Sequence, residues 1–311
     1  MGRILVTGAC GQIGSELVLY LADQFGESAI IASDIKNPSS FIKNNIPFFY
    51  LDVLDFAAVN RIVVEQNVGT IFHMAAILSA VGEKNPQLAY QINMQGLMNV
   101  LEAARQHHME KIIIPSSIAA FGPDAPKDKT PDNTIMNPTT MYGVTKVAGE
   151  KLAQYYHFKY GVDARSLRYP GIISSETLPG GGTTDFAVDL YLNAIDEKKY
   201  TCYIAEETVL PFMYMPDAIK AIVDLAAAPG EKLTQQVYNV HALSLAPRDI
   251  VASIRNEYPS FRISYDPDFR QSIAESWPRS LNDSAARRDW NWSPRYDLHA
   301  MTRDMLKKLK K

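Results

Sequence analysis

Cysteine and histidine are scarce in this chain, and neither clusters. Two cysteines, Cys10 and Cys202, in 311 residues are too few for a disulfide framework or a zinc ribbon. The six histidines are scattered; their one adjacent pair, His107-His108, reads as helix surface. HExxH and CxxC are both absent, so no metal held by protein ligands is expected. No apolar run approaches the roughly 18–20 residues that cross a membrane, and no membrane partner is expected. Basic residues are not in excess: 31 Lys and Arg stand against 34 Asp and Glu, for a net charge of -3. Binding to a phosphate backbone needs clustered Lys and Arg, so no nucleic-acid partner is expected either. The opening residues lack a leader pattern, since Arg3 runs at once into Ile4-Leu5-Val6-Thr7-Gly8, a strand entering a turn. A cytoplasmic location is the resulting expectation.

Apolar residues make up 47% of the chain, ordinary for a globular enzyme with a sizeable core. In the first two-thirds, short apolar runs alternate with longer helical patterns. Strands are predicted at 3–7, 29–34, 47–51, 70–73, 111–116 and 164–169. They are rich in Ile, Val and Phe without strict alternation, which suits strands buried on both faces of a parallel sheet. Helices are predicted at 12–25, 55–66, 86–107 and 140–160. This order implies right-handed crossovers and an α/β doubly wound sheet of about seven strands. The division expected is a dinucleotide-binding domain over 1–172 and a smaller, mainly substrate-binding lobe over 173–311. One strand near 237–240 is expected to return to the sheet. The lobe should hold a flexible loop at 179–184, a helix at 186–197 and two short helices after Pro247. The closing Lys307, Lys308, Lys310 and Lys311 read as a solvated helix end, favourable to the helix dipole.

Between the first strand and the first helix stands Gly8-Ala9-Cys10-Gly11-Gln12-Ile13-Gly14. One glycine permits the tight turn, one lets the backbone approach a pyrophosphate, and one allows close helix–strand packing. The phosphates would then face the N–H groups of Gln12 and Ile13 at a helix N-terminus. Asp34, 20 residues past Gly14, ends the second strand. A carboxylate there accepts from both adenosine ribose hydroxyls and repels a 2′-phosphate, which favours NAD over NADP. Lys36 tempers that preference. Asp52-Val53 closes the third strand, where an acid either meets the adenine amino group or caps the loop.

Tyr142-Gly143-Val144-Thr145-Lys146 is a YxxxK at the start of a helix, with both side chains on one face. A tyrosine of ordinary pKa near 10 is a poor base at neutral pH. A nearby ammonium favours the phenolate, so Lys146 is expected to lower that pKa. Ser116-Ser117 ends the fifth strand, 25 residues before Tyr142. The carboxyl ends of parallel strands gather at one crevice. Ser117 there either holds a substrate oxygen and steadies an alkoxide or simply makes a turn.

GxxGxxG, Asp34, His73-Met74-Ala75-Ala76, Asn93, Ser117 and the Tyr142–Lys146 pair together resemble the extended short-chain dehydrogenase/reductase superfamily, over the whole chain. Within it, the segments 180–185, 210–217 and 276–280 are most similar to the short-chain type of L-threonine 3-dehydrogenases. The resemblance implies NAD as cofactor and L-threonine as substrate. Oxidation at C3 would give 2-amino-3-oxobutyrate, which can lose carbon dioxide to yield aminoacetone. Tyr142 would be the general base, Lys146 would tune it and bind the nicotinamide ribose, and Ser117 would bind the reacting hydroxyl. Ala75, Ala76, Asn93, Tyr169 and Ile172 would lie near the cofactor. Ser79 would meet the substrate carboxylate, Thr184 and Asp185 would face the amino acid, and Trp277 would form a closing wall. Spacing alone leaves Asp185 as a helix cap and Trp277 as core equally open.

A nucleotide-sugar epimerase or dehydratase would use the same Tyr, Lys and Ser. The late arginines Arg279, Arg287, Arg288 and Arg295 would then offer phosphate ligands. A non-catalytic NAD-binding protein would have no need to keep the three in register. The superfamily commonly pairs its two long helices into a homodimer. Leu97, Val100, Leu101, Val147 and Leu152 fit that interface or packing on the sheet.

Overall fold

A computed structural model describes residues 2–178 and 180–310. Pro179 of the expected loop and Lys311 of the lysine run lie outside the described residues. The strands are β1 (Arg3–Thr7), β2 (Ile30–Asp34), β3 (Phe48–Tyr50), β4 (Val68–His73), β5 (Lys111–Ser117), β6 (Ala164–Tyr169), β7 (Gly171–Ile173), β8 (Tyr200–Cys202), β9 (Leu210–Tyr214), β10 (Val237–Asn239), β11 (Leu243–Leu245) and β12 (Ile263–Tyr265). Seven of them form one parallel sheet in the order β10-β6-β5-β4-β1-β2-β3. The order reverses between β1 and β4, where open α/β sheets bind their ligands beyond the strand carboxyl ends. Residues of β2, β4 and β6 are buried throughout, which explains why the apolar residues of β2 and β4 do not alternate, while β6 buries Arg165, Ser166 and Arg168 as well.

The helices of the first half are α1 (Gln12–Phe25), α2 (Ser40–Asn45), α3 (Phe56–Glu65), α4 (Ser79–Lys84), α5 (Pro86–Tyr90), α6 (Gly96–Gln106) and α7 (Met141–Tyr160). The second half carries α8 (Phe186–Ile195), α9 (Met215–Ala227), α10 (Pro247–Arg255), α11 (Arg270–Ser276), α12 (Ser284–Trp290) and α13 (Leu298–Leu309). One face of the sheet packs on α1 and α9, through Leu17, Leu21, Ile222 and Leu225. The other packs on α3, α6 and α7, through Val59, Leu97, Val100 and Ala153. A third core joins α8, α10, α13 and β9 to Ile118 and Phe121, just past β5.

Three features differ from the sequence expectation. The helix expected over 86–107 is interrupted by a π-helical turn at Gln91–Gln95, which rotates Asn93 into the interior. Four helices rather than two run from Pro247 onward, two of them (α11 and α12) only seven residues long, too short for a period to be read. Five small strands (β7, β8, β9, β11, β12) lie outside the main sheet, each paired with a partner about 30 or more residues away in sequence. Leu97, Val100 and Leu101 take the second of the two places expected for them, packing in the chain's own core against the sheet.

Pro115 is explained by register. The last β4–β5 pair is Phe72 with Ile113, so Pro115 sits on a stretch of β5 flanked only by β6. A proline there costs no ladder bond to β4.

Candidate active site

The loop between β1 and α1 is held by backbone contacts that leave no room for side chains. Gly8 has φ +67, and a Cβ there would stand 2.6 Å from the Ala75 nitrogen. A Cβ at Gly14 would stand 2.1 Å from the Gly8 oxygen. Gly11, by contrast, faces the cleft and is the N-cap of α1 with no side-chain cap. No acid stands in the first turn. The leading amides of α1 are thus left for an anion, and the dipole favours one.

Asp34 is buried at the end of β2. Its Oδ2 accepts from the Cys10 N–H at 2.9 Å and its Oδ1 from the Lys36 N–H at 2.9 Å. Two backbone donors therefore fix the carboxylate at the rim of the loop. Asp52 is exposed and its Oδ1 accepts from Leu54 N at 2.9 Å, so it does cap its loop while bordering the cleft. These two acids line one cleft of about 550 Å³, together with Gly8, Gly11, Gln12, Ile13, Gly14, Val53, Ala75, Ala76, Tyr169 and Ile172. The Tyr169 hydroxyl is turned away, donating to the Ala218 carbonyl at 2.5 Å, so the ring alone borders the cleft.

α7 brings the tyrosine–lysine face to the same cleft. The Thr140 hydroxyl caps the helix by accepting from Gly143 N at 3.1 Å. Gly143 lets the helix lie against the turn after β5, because a Cβ would stand 2.3 Å from the Ala119 oxygen. Ser117, Tyr142 and Lys146 all line the cleft. Lys146 Nζ donates to the Pro115 carbonyl at 2.7 Å and stands 5.3 Å from the Tyr142 ring centre. Here the expected lowering of the tyrosine is corrected. Burial pushes the Tyr142 phenol up to about 12, and the hydrogen bond with Ser117 only moderates the rise. Burial also pushes Lys146 down to about 8, against the pull of Glu150. In the protein alone, desolvation outweighs the amine.

Of the expected site residues, only Asn93 stands off the main cleft. It borders a cavity of about 30 Å³ behind Lys146. Its amide clamps the loop after β4, accepting from Ile77 N at 2.8 Å and donating to Ile77 O at 3.1 Å, and it also donates to Thr145 Oγ1 at 3.1 Å. No sequence signal announces this, because a π-helical turn has no signature of its own.

The other end of the cleft holds Ser79, Thr184, Asp185 and Trp277. Ser79 Oγ lies 3.1 Å from Thr183 Oγ1 and accepts from Thr183 N at 3.3 Å, tying α4 to the glycine loop. Asp185 makes no side-chain cap to α8. Its Oδ2 instead gathers the loop, accepting from Gly181 N at 2.9 Å and Gly182 N at 2.8 Å. Burial raises its pKa, and those two bonds oppose the rise. Trp277 is both core and wall: it is buried in the third core and borders the cleft. Ile77, Leu78 and Val81, not foreseen, add an apolar side. None of the four late arginines borders the cleft, and three of them are paired with acids. Arg279 pairs with Asp128, Arg287 with Asp283 and Arg288 with Asp289.

With a glycine loop, a ribose-side acid and a Ser–Tyr–Lys set on one crevice, the comparisons fall into place. Residues 4–240 match the model of the NAD dependent epimerase/dehydratase family. The chain belongs to this family. NAD is accordingly its cofactor, and at one end of the cleft the Cβ-free backbone at Gly11 and the fixed Asp34 carboxylate fit that group. A solved L-threonine dehydrogenase from Phytophthora infestans is 55% identical, with 99% of each chain covered and a TM-score of 0.96. A structure titled monomeric L-threonine 3-dehydrogenase, from a metagenome, is 45% identical over 99% of each chain at a TM-score of 0.95. The mitochondrial L-threonine 3-dehydrogenase of Sus scrofa is 43% identical over 98% of this chain and 82% of its own length.

His73, at the end of β4, is wholly buried with Nδ1 2.9 Å from Thr7 Oγ1. Burial first, and the Lys146 charge second, push it down to about 3. A histidine kept neutral in the fold but free to protonate when unfolded makes stability fall as pH drops. Its contribution is full above about pH 6.5 and is lost between there and about pH 3. Urea unfolding from pH 7 to pH 5 should show this slope, approaching about 1.4 kcal/mol per pH unit for one proton. His73→Gln should flatten it by that amount.

Proposed function

We propose that the protein is an NAD-dependent L-threonine 3-dehydrogenase, oxidising the C3 hydroxyl to give 2-amino-3-oxobutyrate. The reading is carried by the convergence of Ser117, Tyr142 and Lys146 with Ser79, Thr184, Asp185 and Trp277 on one cleft. Identity of 55% to an L-threonine dehydrogenase over the whole chain supports it. NAD, when bound, supplies the acceptor for the hydride leaving C3 and a positive ring that favours phenolate.

This chain's residues do the rest. Amides at Gln12 and Ile13 hold the pyrophosphate, Gly11 lets it approach because it has no Cβ while its own N–H donates to the Gly8 carbonyl at 3.0 Å, Asp34 holds the ribose diol, and Asp52 with Val53 the adenine side. Ala75, Ala76, Tyr169 and Ile172 border the nicotinamide, while Asn93 acts indirectly by fixing the Ile77 loop and Thr145. Tyr142 Oη takes the proton of the threonine hydroxyl, and Ser117 Oγ donates to that oxygen as charge develops on it. Lys146, as an ammonium, stabilises the phenolate and binds the ribose. The Asp185 carboxylate faces the α-ammonium, Ser79 and Thr184 meet the polar groups of the amino acid, and Trp277 shields its aliphatic part. Residues 1–172 serve the dinucleotide and 173–311 mainly the substrate. The family match alone is shared with an epimerase reading, but Arg279, Arg287 and Arg288 are paired with acids and do not border the cleft, which speaks against a diphosphate grip.

We infer a cytoplasmic homodimer acting in threonine breakdown. Among the described residues no helix is long and apolar enough to cross a membrane. The C-terminal end of α7 exposes Tyr155, Phe158 and Tyr160, with Phe158 76% accessible. Aromatic exposure of this kind marks association surfaces. Sedimentation should give twice the chain mass of 34.7 kDa, and Phe158→Asp should give the single-chain mass; a wild-type monomer would exclude the interface.

Purified protein should reduce NAD steadily when L-threonine is added. Tyr142→Phe should lower kcat at least about 100-fold while NAD binding, followed by fluorescence, stays intact; near-normal turnover refutes the base. Asp185→Asn should raise the threonine KM about 10-fold or more, the scale of a lost charge-assisted bond, and leave the NAD KM nearly unchanged. Equal effects on both would count against an ammonium contact.

A further inference from the structure

The face of α7 that presents Tyr142 and Lys146 carries a third polar residue at the same four-residue step, Glu150. It does not border the main cleft. Its side chain is 2% exposed, and so deep a carboxylate persists only with strong partners. It has three such bonds. Arg168 Nε donates to Oε1 at 2.8 Å and Arg168 Nη2 to Oε2 at 2.8 Å, a bidentate fork. Ser116 Oγ donates to Oε1 at 2.5 Å.

Arg168 is itself fixed on every side. It pairs with Ser116 across β5 and β6. Its Nη1 donates to Asp132 O at 2.9 Å and Asn239 Oδ1 at 3.1 Å, and its guanidinium carbon lies 5.0 Å from the Phe121 ring centre. The ion pair is thus a rigid wedge between the catalytic helix and the strand ends. Glu150 and Lys146 also share the walls of the 30 Å³ cavity, with room for about one water.

Lys146 needs its proton to act as an ammonium, and its burial works against that. The groups facing it are Tyr142 and Glu150 on its own helix, His73 on β4, which burial keeps neutral, and Arg168 on β6, which is committed to Glu150. Glu150 is the one charge that opposes deprotonation.

We propose that Glu150 is a positioning residue for the reaction: its Arg168-anchored carboxylate keeps Lys146 an ammonium in the buried cleft, and its bond to Ser116 pins the strand end that carries Ser117. The proposal rests on the Tyr142–Lys146 reading above. A merely structural ion pair would move stability and nothing else. The titration of Lys146 separates the two.

Competitive acetylation of the protein across pH 6–11, with Lys146 followed by peptide mass spectrometry, reads that titration without turnover. Glu150→Gln should lower the Lys146 midpoint by about one pH unit, the scale of one nearby charge removed from a buried group. The alkaline limb of the kcat profile with L-threonine should move down by the same amount. Glu150→Asp keeps a charge but withdraws it by one methylene; it should shift the midpoint in the same direction by less, and it carries the test if Glu150→Gln does not fold. An unshifted midpoint in the folded variants, with only the melting temperature reduced, overturns the proposal. If wild type reduces NAD with threonine and the midpoint does not move, the Glu150 role alone has failed. If the midpoint moves but wild type has no activity on threonine, the substrate reading alone has failed.

Discussion

The whole site depends on how one helix is pressed against the carboxyl ends of β5 and β6. α7 can approach that closely because Gly143 has no Cβ to meet the Ala119 carbonyl. Its inward face then stacks phenol, ammonium and carboxylate at successive turns. Each would be expensive to bury alone. Each is accommodated by a neighbour that the sheet supplies: Ser117 for Tyr142, the Pro115 carbonyl for Lys146, Arg168 and Ser116 for Glu150. The parallel sheet provides these partners because all its carboxyl ends point to one crevice.

The same packing explains the electrostatics. A dry cleft raises the Tyr142 phenol and lowers Lys146, both away from their working charge states. The protein alone therefore holds its base in reserve as a neutral phenol. On the proposed reading, a positively charged dinucleotide end beside Tyr142 would favour its phenolate. Polar clamps around the crevice serve that economy. Asn93 holds the loop after β4, and the Asp185 carboxylate draws in the glycine loop at Gly181 and Gly182. Such fixed polar groups need not reorganise when charge develops.

Much of this was legible in the residues. The glycine spacing, the acid at the end of the second strand and the YxxxK step are local patterns, and local backbone geometry decides what they do. Strand ends such as Ala164–Tyr169 and helix limits such as Gln12–Phe25 follow from burial period and caps. The C-terminal half was read least well. Its strands are three residues long in several cases, its helices are short, and their partners lie far away in sequence, as in the pairing of Tyr200 with Ile263. The π-helical turn at Gln91–Gln95 was invisible, since tertiary packing around Asn93, rather than propensity, selects it.

The sequence by itself determined the strand–helix order of the first half, the glycine loop after β1 and the Tyr142–Lys146 step on one helix face. Those rest on chain-local rules: period, capping and the steric freedom of glycine. Only the tertiary structure decided which charges face one another. It committed Arg168 to Glu150, Arg279, Arg287 and Arg288 to nearby acids, and Trp277 to core and cleft wall at once. It also set the direction in which Tyr142 and Lys146 are shifted. Desolvation and charge pairing depend on distances through space, and those exist only once the strand ends have been brought together.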